Sequence, residues 1–372
     1  MAHDAPLAPQ TLAEDRLYNF AAGPAMLPAE VLEASARALV DYRGMGIGVA
    51  ELSHRGPEFD AILDEAIERC KSLCGIPGNP DYDVLFLQGG ATQLFTTIPM
   101  NFLQGSADYL ETGEWAKKAI EAARPYGTAN VVGSSAVTGY DRVPDGWTAT
   151  PDASYLYVCT NETINGTRIG HLPHHPTLVA DVSSEFMARP IDARQFALIF
   201  GGAQKNLGPA GVVVAIVRRD LYARIPKDVP PIFSFAAHAK AKSCLNTPPT
   251  FAIYMLLETF RWIERQGGLA SVEARNERKA TLIYDVLDEQ SDFYRATVHD
   301  RPENRSRMNV TFHLPTQELT GRFLAEAEAR GMVGLQGYRT VGGVRASIYN
   351  AMPEAGCALL AEHMRDFAEI NG

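Results

Sequence analysis

The chain has 372 residues, and 34 Lys and Arg against 44 Asp and Glu leave a net charge of −10. That acidic balance excludes a nucleic-acid binder, which needs a basic surplus to displace phosphate counterions. With 46% hydrophobic and 21% charged residues the makeup is that of a folded globular protein, long enough for two domains and without the roughly 18-residue apolar run that crosses a bilayer.

In chain order, residues 1–16 lack the basic and apolar regions of a secretory leader and are expected to form a disordered tail. Residues 17–27 are expected to pack with a small C-terminal domain. Pro28 opens a helix bearing Val31, Leu32, Leu39 and Val40, stopped near Gly44. A second helix carries Phe59, Ile62, Leu63, Ala66, Ile67, Cys70, Leu73 and Cys74 at 3.6-residue spacing and ends at Gly75 and Pro77. Short apolar runs at Val84–Leu87, Tyr155–Cys159, Leu178–Ala180, Phe196–Phe200 and Val212–Val217 read as buried strands. Interleaved with helices, they mark a mostly parallel sheet covered on both faces. Phe251–Ile263 reads as a long helix. Beyond Gln266-Gly267-Gly268, charged helices (Ser271–Leu287, Glu318–Arg330) alternate with strands (Met308–Leu314, Ala346–Tyr349). The expected architecture is therefore α/β, with a large domain over 28–266 and a smaller α+β domain over 267–372.

Some signals look chemical and are better read as structure. Cys70 and Cys74 fall on the apolar stripe, so core packing is expected; the five cysteines make no disulfide framework, and a reducing cytoplasm follows. His171, His174 and His175 lack a Cys or carboxylate at ligand spacing and read as loop histidines, with no metal. The sequons at Asn161 and Asn165 count for nothing without a secretory route.

Four features sit just past the carboxyl ends of the expected strands, where open α/β sheets bind ligands. Leu87-Gln-Gly-Gly-Ala-Thr-Gln93 runs from strand to small-residue turn to helix; its backbone amides and the Thr92 hydroxyl form an anion cradle or a plain connection. Asp181 ends an apolar strand, where a carboxylate needs a cation or donor, or else caps the turn over Ser183 and Ser184. Lys205 lies in Phe-Gly-Gly-Ala-Gln-Lys-Asn. Desolvated there, it would be a nucleophile towards a carbonyl; otherwise it is a surface lysine. Thr163 follows the Tyr155–Cys159 strand. A phosphate cradle, an acid for a pyridinium nitrogen and a reactive lysine together meet the needs of pyridoxal 5′-phosphate.

The stretches Asn19-Phe-Ala-Ala-Gly-Pro-Ala-Met-Leu-Pro28, Ser53-His-Arg-Gly56, Asn161-Glu-Thr163, Gly202-Ala-Gln-Lys-Asn206, Asn246-Thr-Pro-Pro249 and Gly342-Gly-Val-Arg-Ala-Ser-Ile-Tyr-Asn350 resemble the phosphoserine aminotransferase family. These are fold-type I pyridoxal-phosphate enzymes of the class V group. The resemblance runs from residue 19 to residue 350, and it implies a large seven-stranded domain and a homodimer with shared sites. It implies that Lys205 carries the cofactor and shuttles a proton, Asp181 pairs with the ring nitrogen, Trp115 stacks on the ring and Thr163 bonds the phenolic oxygen. Ala91, Thr92 and Gln204 would hold the cofactor phosphate, joined by Asn246 and Thr247 of the neighbouring subunit. Arg345 would clamp the substrate α-carboxylate. His54 and Arg55, with Arg339 of the neighbour, would take the distal carboxylate or phosphate.

The implied reaction exchanges an amino group between glutamate and 3-phosphohydroxypyruvate, giving 2-oxoglutarate and phosphoserine for serine biosynthesis. The four-carbon 3-hydroxy-2-oxo-4-phosphooxybutanoate of pyridoxal phosphate biosynthesis is the second implied substrate. A Ser/Ala–glyoxylate aminotransferase of the same class is the alternative, and Arg55 and Arg339 speak against it. Two departures bear on phosphate: Ala91-Thr92 stands where some relatives have Gly-Arg, and Tyr338 where some have His.

Overall fold

The computed structural model describes residues 16–372. The tail expected over 1–16 lies outside the described residues except for Arg16, whose guanidinium donates to the Leu27 carbonyl (3.0 Å).

A seven-stranded sheet organises the first two thirds of the chain. Its spatial order is Tyr82–Gln88, Val212–Arg218, Leu198–Gly202, Leu178–Asp181, Leu156–Cys159, Ser106–Glu111, Thr128–Ser134. Only Val212–Arg218 pairs antiparallel with its neighbours, so the other strands end at a common edge. One face is covered by the helices Ala29–Val40, Pro57–Leu73 and Thr250–Arg265, whose apolar stripes bury Val31, Phe59, Ile62, Leu63, Cys70 and Phe260. The other face takes Ala91–Phe102 and Glu114–Ala123, with Leu94, Phe95, Ile98 and Ile120 against Tyr157 and Phe200. Cys70 and Cys74 lie wholly inside the first core as free thiols. Among the described residues no helix is long and apolar enough to cross a membrane.

Two strands of this sheet escape the hydrophobic pattern. Ser106–Glu111 carries Asp108 at its centre, fully buried, its carboxylate accepting from Thr150 N (2.6 Å) and Asn130 Nδ2 (3.0 Å). Local hydrogen bonds thus satisfy a residue that reads as solvent-facing. Thr128–Ser134 is the sheet edge, half exposed along its length, and needs no apolar run.

A second, antiparallel sheet of Arg295–Ala296, Asn309–His313 and Val344–Ser347 packs on the helices Gly268–Glu289, Gln317–Ala329 and Glu354–Asn371. The last helix lies beyond the elements expected from sequence and buries Cys357, Leu360, Met364 and Phe367. Phe20 reaches into this core from the N-terminal segment, where Tyr18–Asn19 pairs parallel with Met332–Val333. A polar seam links the cores: Asn161 Nδ2 donates to Ser184 Oγ (2.7 Å) and Asn309 Oδ1 (2.9 Å), and Asn206 Oδ1 accepts from Asn350 N (3.0 Å).

Lys279 is fully buried in the Gly268–Glu289 helix and donates to the carbonyls of Ile348 (2.9 Å) and Tyr349 (2.7 Å). Burial draws its amine down to about 7 from 10.5. Between those values the unfolded chain holds a proton that the folded chain lacks, so stability rises with pH, at most about 1.4 kcal/mol per unit. Lys279→Met should flatten that rise. Denaturant titrations at about pH 7.5 and 9.5 measure it, and an equally steep rise in the variant would disprove a neutral buried amine.

Candidate active site

The parallel strands deliver their loops to one edge, and the site assembles there. Lys205, three residues past Leu198–Gly202, is 8% exposed; its Nζ donates to Thr163 Oγ1 (2.6 Å) and lies 5.6 Å from the centre of the Trp115 ring. Among the described residues it makes no ion pair. Burial lowers its amine, while the nearby carboxylate of Asp181 pulls the other way. A neutral amine here can attack a carbonyl and relay a proton.

Asp181 ends the neighbouring strand and is equally buried; Oδ1 accepts from Ser183 N (2.8 Å) and Ser183 Oγ (2.5 Å). The turn-capping and the site readings of this residue thus hold together. Burial raises its carboxyl, and Lys205 and Ser183 work against that rise. Oδ2 takes no donor from the described residues.

Trp115 stands in the first turn of Glu114–Ala123, packed against Phe95 of the Ala91 helix (6.5 Å), and its buried Nε1 finds no acceptor among the described residues. The Ala91–Phe102 helix opens at Gly90 with no capping side chain, leaving the amides of Ala91 and Thr92 free to meet an anion. Gln204 is half-buried, and its carbonyl accepts from Ala25 N (2.8 Å), which brings the N-terminal segment over Lys205. Arg345, on Val344–Ser347, lies over the Tyr338 ring at 5.9 Å with a buried, unpartnered Nε, close enough to Lys205 for its charge to lower that amine.

Among the described residues, the other expected site residues make no hydrogen bond to Lys205, Asp181 or Trp115. Asn246 Nδ2 donates to Gln88 Oε1 (2.8 Å) and the Thr247 carbonyl accepts from Gln88 Nε2 (2.5 Å), next to the Gly89–Gly90 turn. Arg55 is exposed beside His54, its Nε 3.4 Å from His54 Nε2. Arg339 is exposed on a loop closed by Gly337 N to the Gly343 carbonyl (2.9 Å). Neither arginine has an ion-pair partner among the described residues. Two buried groups at the site were not foreseen. Glu162 precedes Thr163 and is buried completely; Tyr349 packs beside Arg345 and donates to the Ala22 carbonyl (2.8 Å). Among the described residues no group of three or more His, Cys, Asp or Glu is placed to hold a metal.

Residues 17–360 match the family Aminotransferase class-V. The phosphoserine aminotransferase of Geobacillus kaustophilus is 48% identical over 357 residues, 95% of this chain and 98% of its own. The solved phosphoserine aminotransferase of Bacillus circulans subsp. alkalophilus has a TM-score of 0.93 at 45% identity, covering 96% of this chain and 99% of that one. The PLP-bound enzyme of the same name from Trichomonas vaginalis has a TM-score of 0.89 at 38% identity, covering 94% and 100%.

Because the Asp181 carboxylate supports the Lys205 charge, Asp181→Asn should let Lys205 lose its proton at lower pH. The pH profile of Lys205 acylation in cofactor-free protein, mapped by mass spectrometry, measures the midpoint. An unmoved or higher midpoint would show that the two groups do not feel each other.

Proposed function

The chain belongs to the class-V aminotransferases and, within them, to the phosphoserine aminotransferase family, and we propose that it moves an amino group from glutamate to 3-phosphohydroxypyruvate. It is a transaminase that works with pyridoxal phosphate. The observation that carries the reading is a buried, unpaired lysine facing a buried carboxylate from the adjacent parallel strand.

The residues fit this cofactor. Among the described residues Trp115 Nε1 and Arg345 Nε are buried donors without acceptors, the Ala91 and Thr92 amides meet no capping side chain, and Asp181 Oδ2 receives no donor. Lys205 would hold the cofactor covalently, Asp181 its ring nitrogen, Trp115 its face and Thr163 its phenolic oxygen. Ala91, Thr92 and Gln204 would hold its phosphate. When bound, the cofactor supplies an electron sink for the pair released at the substrate Cα.

The chain's own groups do the rest. Lys205 would take the proton from the substrate Cα and hold it for return, a role that the lowering of its amine by burial favours. The Asp181 carboxylate would hold a proton on the ring nitrogen. Arg345 binds the α-carboxylate in a planar, two-point contact. The exposed Arg55 and His54, with Arg339 from a second copy, meet the distal anion, and Asn246 and Thr247 reach the second copy's phosphate. This division of residues between two copies makes the enzyme a homodimer with shared sites. Residues 28–266 would form the cofactor domain and 267–372 the substrate-closing domain. The same anion site suits the four-carbon phosphorylated oxo acid.

Each charge-assisted contact to a desolvated phosphate is worth roughly 1.5–3 kcal/mol. Phosphoserine should therefore exceed serine and alanine in kcat/KM by more than about tenfold per contact. Arg55→Ala and Arg339→Ala should impair glutamate and phosphoserine alike. If serine or alanine rivals phosphoserine in the unaltered enzyme, the glyoxylate-type alternative replaces this reading.

Shared sites make a second test available. Mixing a Lys205→Ala chain with an Arg339→Ala chain yields heterodimers with one intact site each, so about a quarter of wild-type activity should return. Continued inactivity, with subunit exchange shown independently, would refute the shared arrangement.

A further inference from the structure

Glu162 has no step in the reaction derived above, yet its exposure is 0%. The Glu114–Ala123 helix that carries Trp115 opens at Gly113, which has no side chain to cap it. The first amides of any helix need acceptors. Glu162 supplies them from outside the helix: Oε2 accepts from Trp115 N (3.1 Å) and Oε1 from Ala116 N (3.0 Å), with Thr112 Oγ1 at 3.5 Å. The two partners fit closely, since a Cβ on Gly113 would lie 2.3 Å from Glu162 Cδ. The next residue, Thr163, holds Lys205 Nζ. One peptide step thus joins the support of the indole to the support of the lysine.

This support is costly. Burial pushes the Glu162 carboxyl up to about 7, against the two amides that hold it down; Asp181 adds to the rise and Lys205 opposes it. Cys159, Tyr157 and Tyr140 also feel its charge. A Ser or Asp at position 113 would cap the helix without burying a distant charge. What a local cap lacks is the tie between the Trp115 helix and the Lys205 loop.

We propose that Glu162 is a positioning residue for the cofactor, holding the Trp115 indole in register with Lys205 by capping the indole's helix from the position next to Thr163. The inference rests on the cofactor reading of Trp115 and Lys205. Dialysis of the holoenzyme at about pH 8, where the Glu162 carboxylate is charged, gives the dissociation constant of pyridoxal phosphate. Glu162→Gln should weaken retention about tenfold, about 1.4 kcal/mol in the binding step, by leaving the indole unheld over the ring. Gly113→Ala, which keeps the carboxylate but displaces it, should do the same. Thermal unfolding of cofactor-free Glu162→Gln should stay near that of the parent chain, because the amide oxygen still accepts at the helix start and the costly buried charge is gone. In a Trp115→Ala background Glu162→Gln should add little, because both changes act through the indole.

Unchanged retention in both variants would overturn the proposal, as would an undiminished effect in the Trp115→Ala background. A fall in thermal stability that tracks the loss of cofactor would overturn it too, by making Glu162 an ordinary structural cap. Failure of the parent chain to retain any cofactor would sink the cofactor reading first and this inference with it.

Discussion

An amine and a carboxylate held out of water on adjacent strands, without closing into an ion pair, set the terms for everything around them. Desolvation drives both towards neutrality, Lys205 downward and Asp181 upward, and each charge partly restrains the other. A direct pair would quench both groups and leave neither free for a ligand. The separation is kept by distinct donors and acceptors: Thr163 Oγ1 accepts a hydrogen bond from the lysine amine, and Ser183 turns its amide and hydroxyl onto the aspartate. Ser183 Oγ also accepts from Gly202 N (3.1 Å), so the strand that leads to Lys205 is fixed to the turn that follows Asp181. The parallel sheet exists, in this sense, to bring two strand ends to the right spacing.

The second core extends that constraint. Asn161, Ser184, Ser306 and Asn309 form one buried polar seam, with Ser306 Oγ donating to Asn161 Oδ1 (2.5 Å). Every member has a partner, which is the condition under which a buried polar network rigidifies instead of weakening a core. Through it the sheet that carries Arg345 is registered against the loop that carries Thr163. The seam thus fixes the strand that bears Arg345, while the guanidinium itself lies 5.9 Å from the Tyr338 ring.

How much of this was legible in the sequence depends on the range of the interaction that carries each feature. The Leu178–Asp181 and Leu198–Gly202 strands announce themselves as apolar runs, so Asp181 and Lys205 could be placed at strand ends from composition alone. The Ser106–Glu111 strand could not, because the partners that make Asp108 tolerable, Asn130 and Thr150, lie about twenty and forty residues on. Glu162 was hidden for the same reason: its acceptor role belongs to a helix whose own cap position is a glycine. Trp115 and Arg345, and the role of Thr163, were legible only through family resemblance, which compresses long-range geometry into short motifs. Arg55, Arg339, Asn246 and Thr247 came from the same source, and a single chain leaves them on its rim.

The N-terminal segment also acts as a leash. Phe20 is bound into the second core, its amide on the Val333 carbonyl (2.8 Å) and its own carbonyl receiving Ser347 N (3.2 Å), while Ala25 N is tied to the Gln204 carbonyl (2.8 Å). Five residue steps separate these anchors, and five steps of chain reach at most roughly 17 Å when fully drawn out. Any swing of the second core away from the Lys205 loop is therefore capped by covalent length, whatever the packing between them permits. Part of the slack is already spent, because Gly23 lies flat against the lysine stem, where a Cβ would come within 3.3 Å of Lys205 Cγ. Opening wide enough to pull this strip taut would lift it off the lysine, so the breadth of the motion and the exposure of the amine to water are governed by the same few residues.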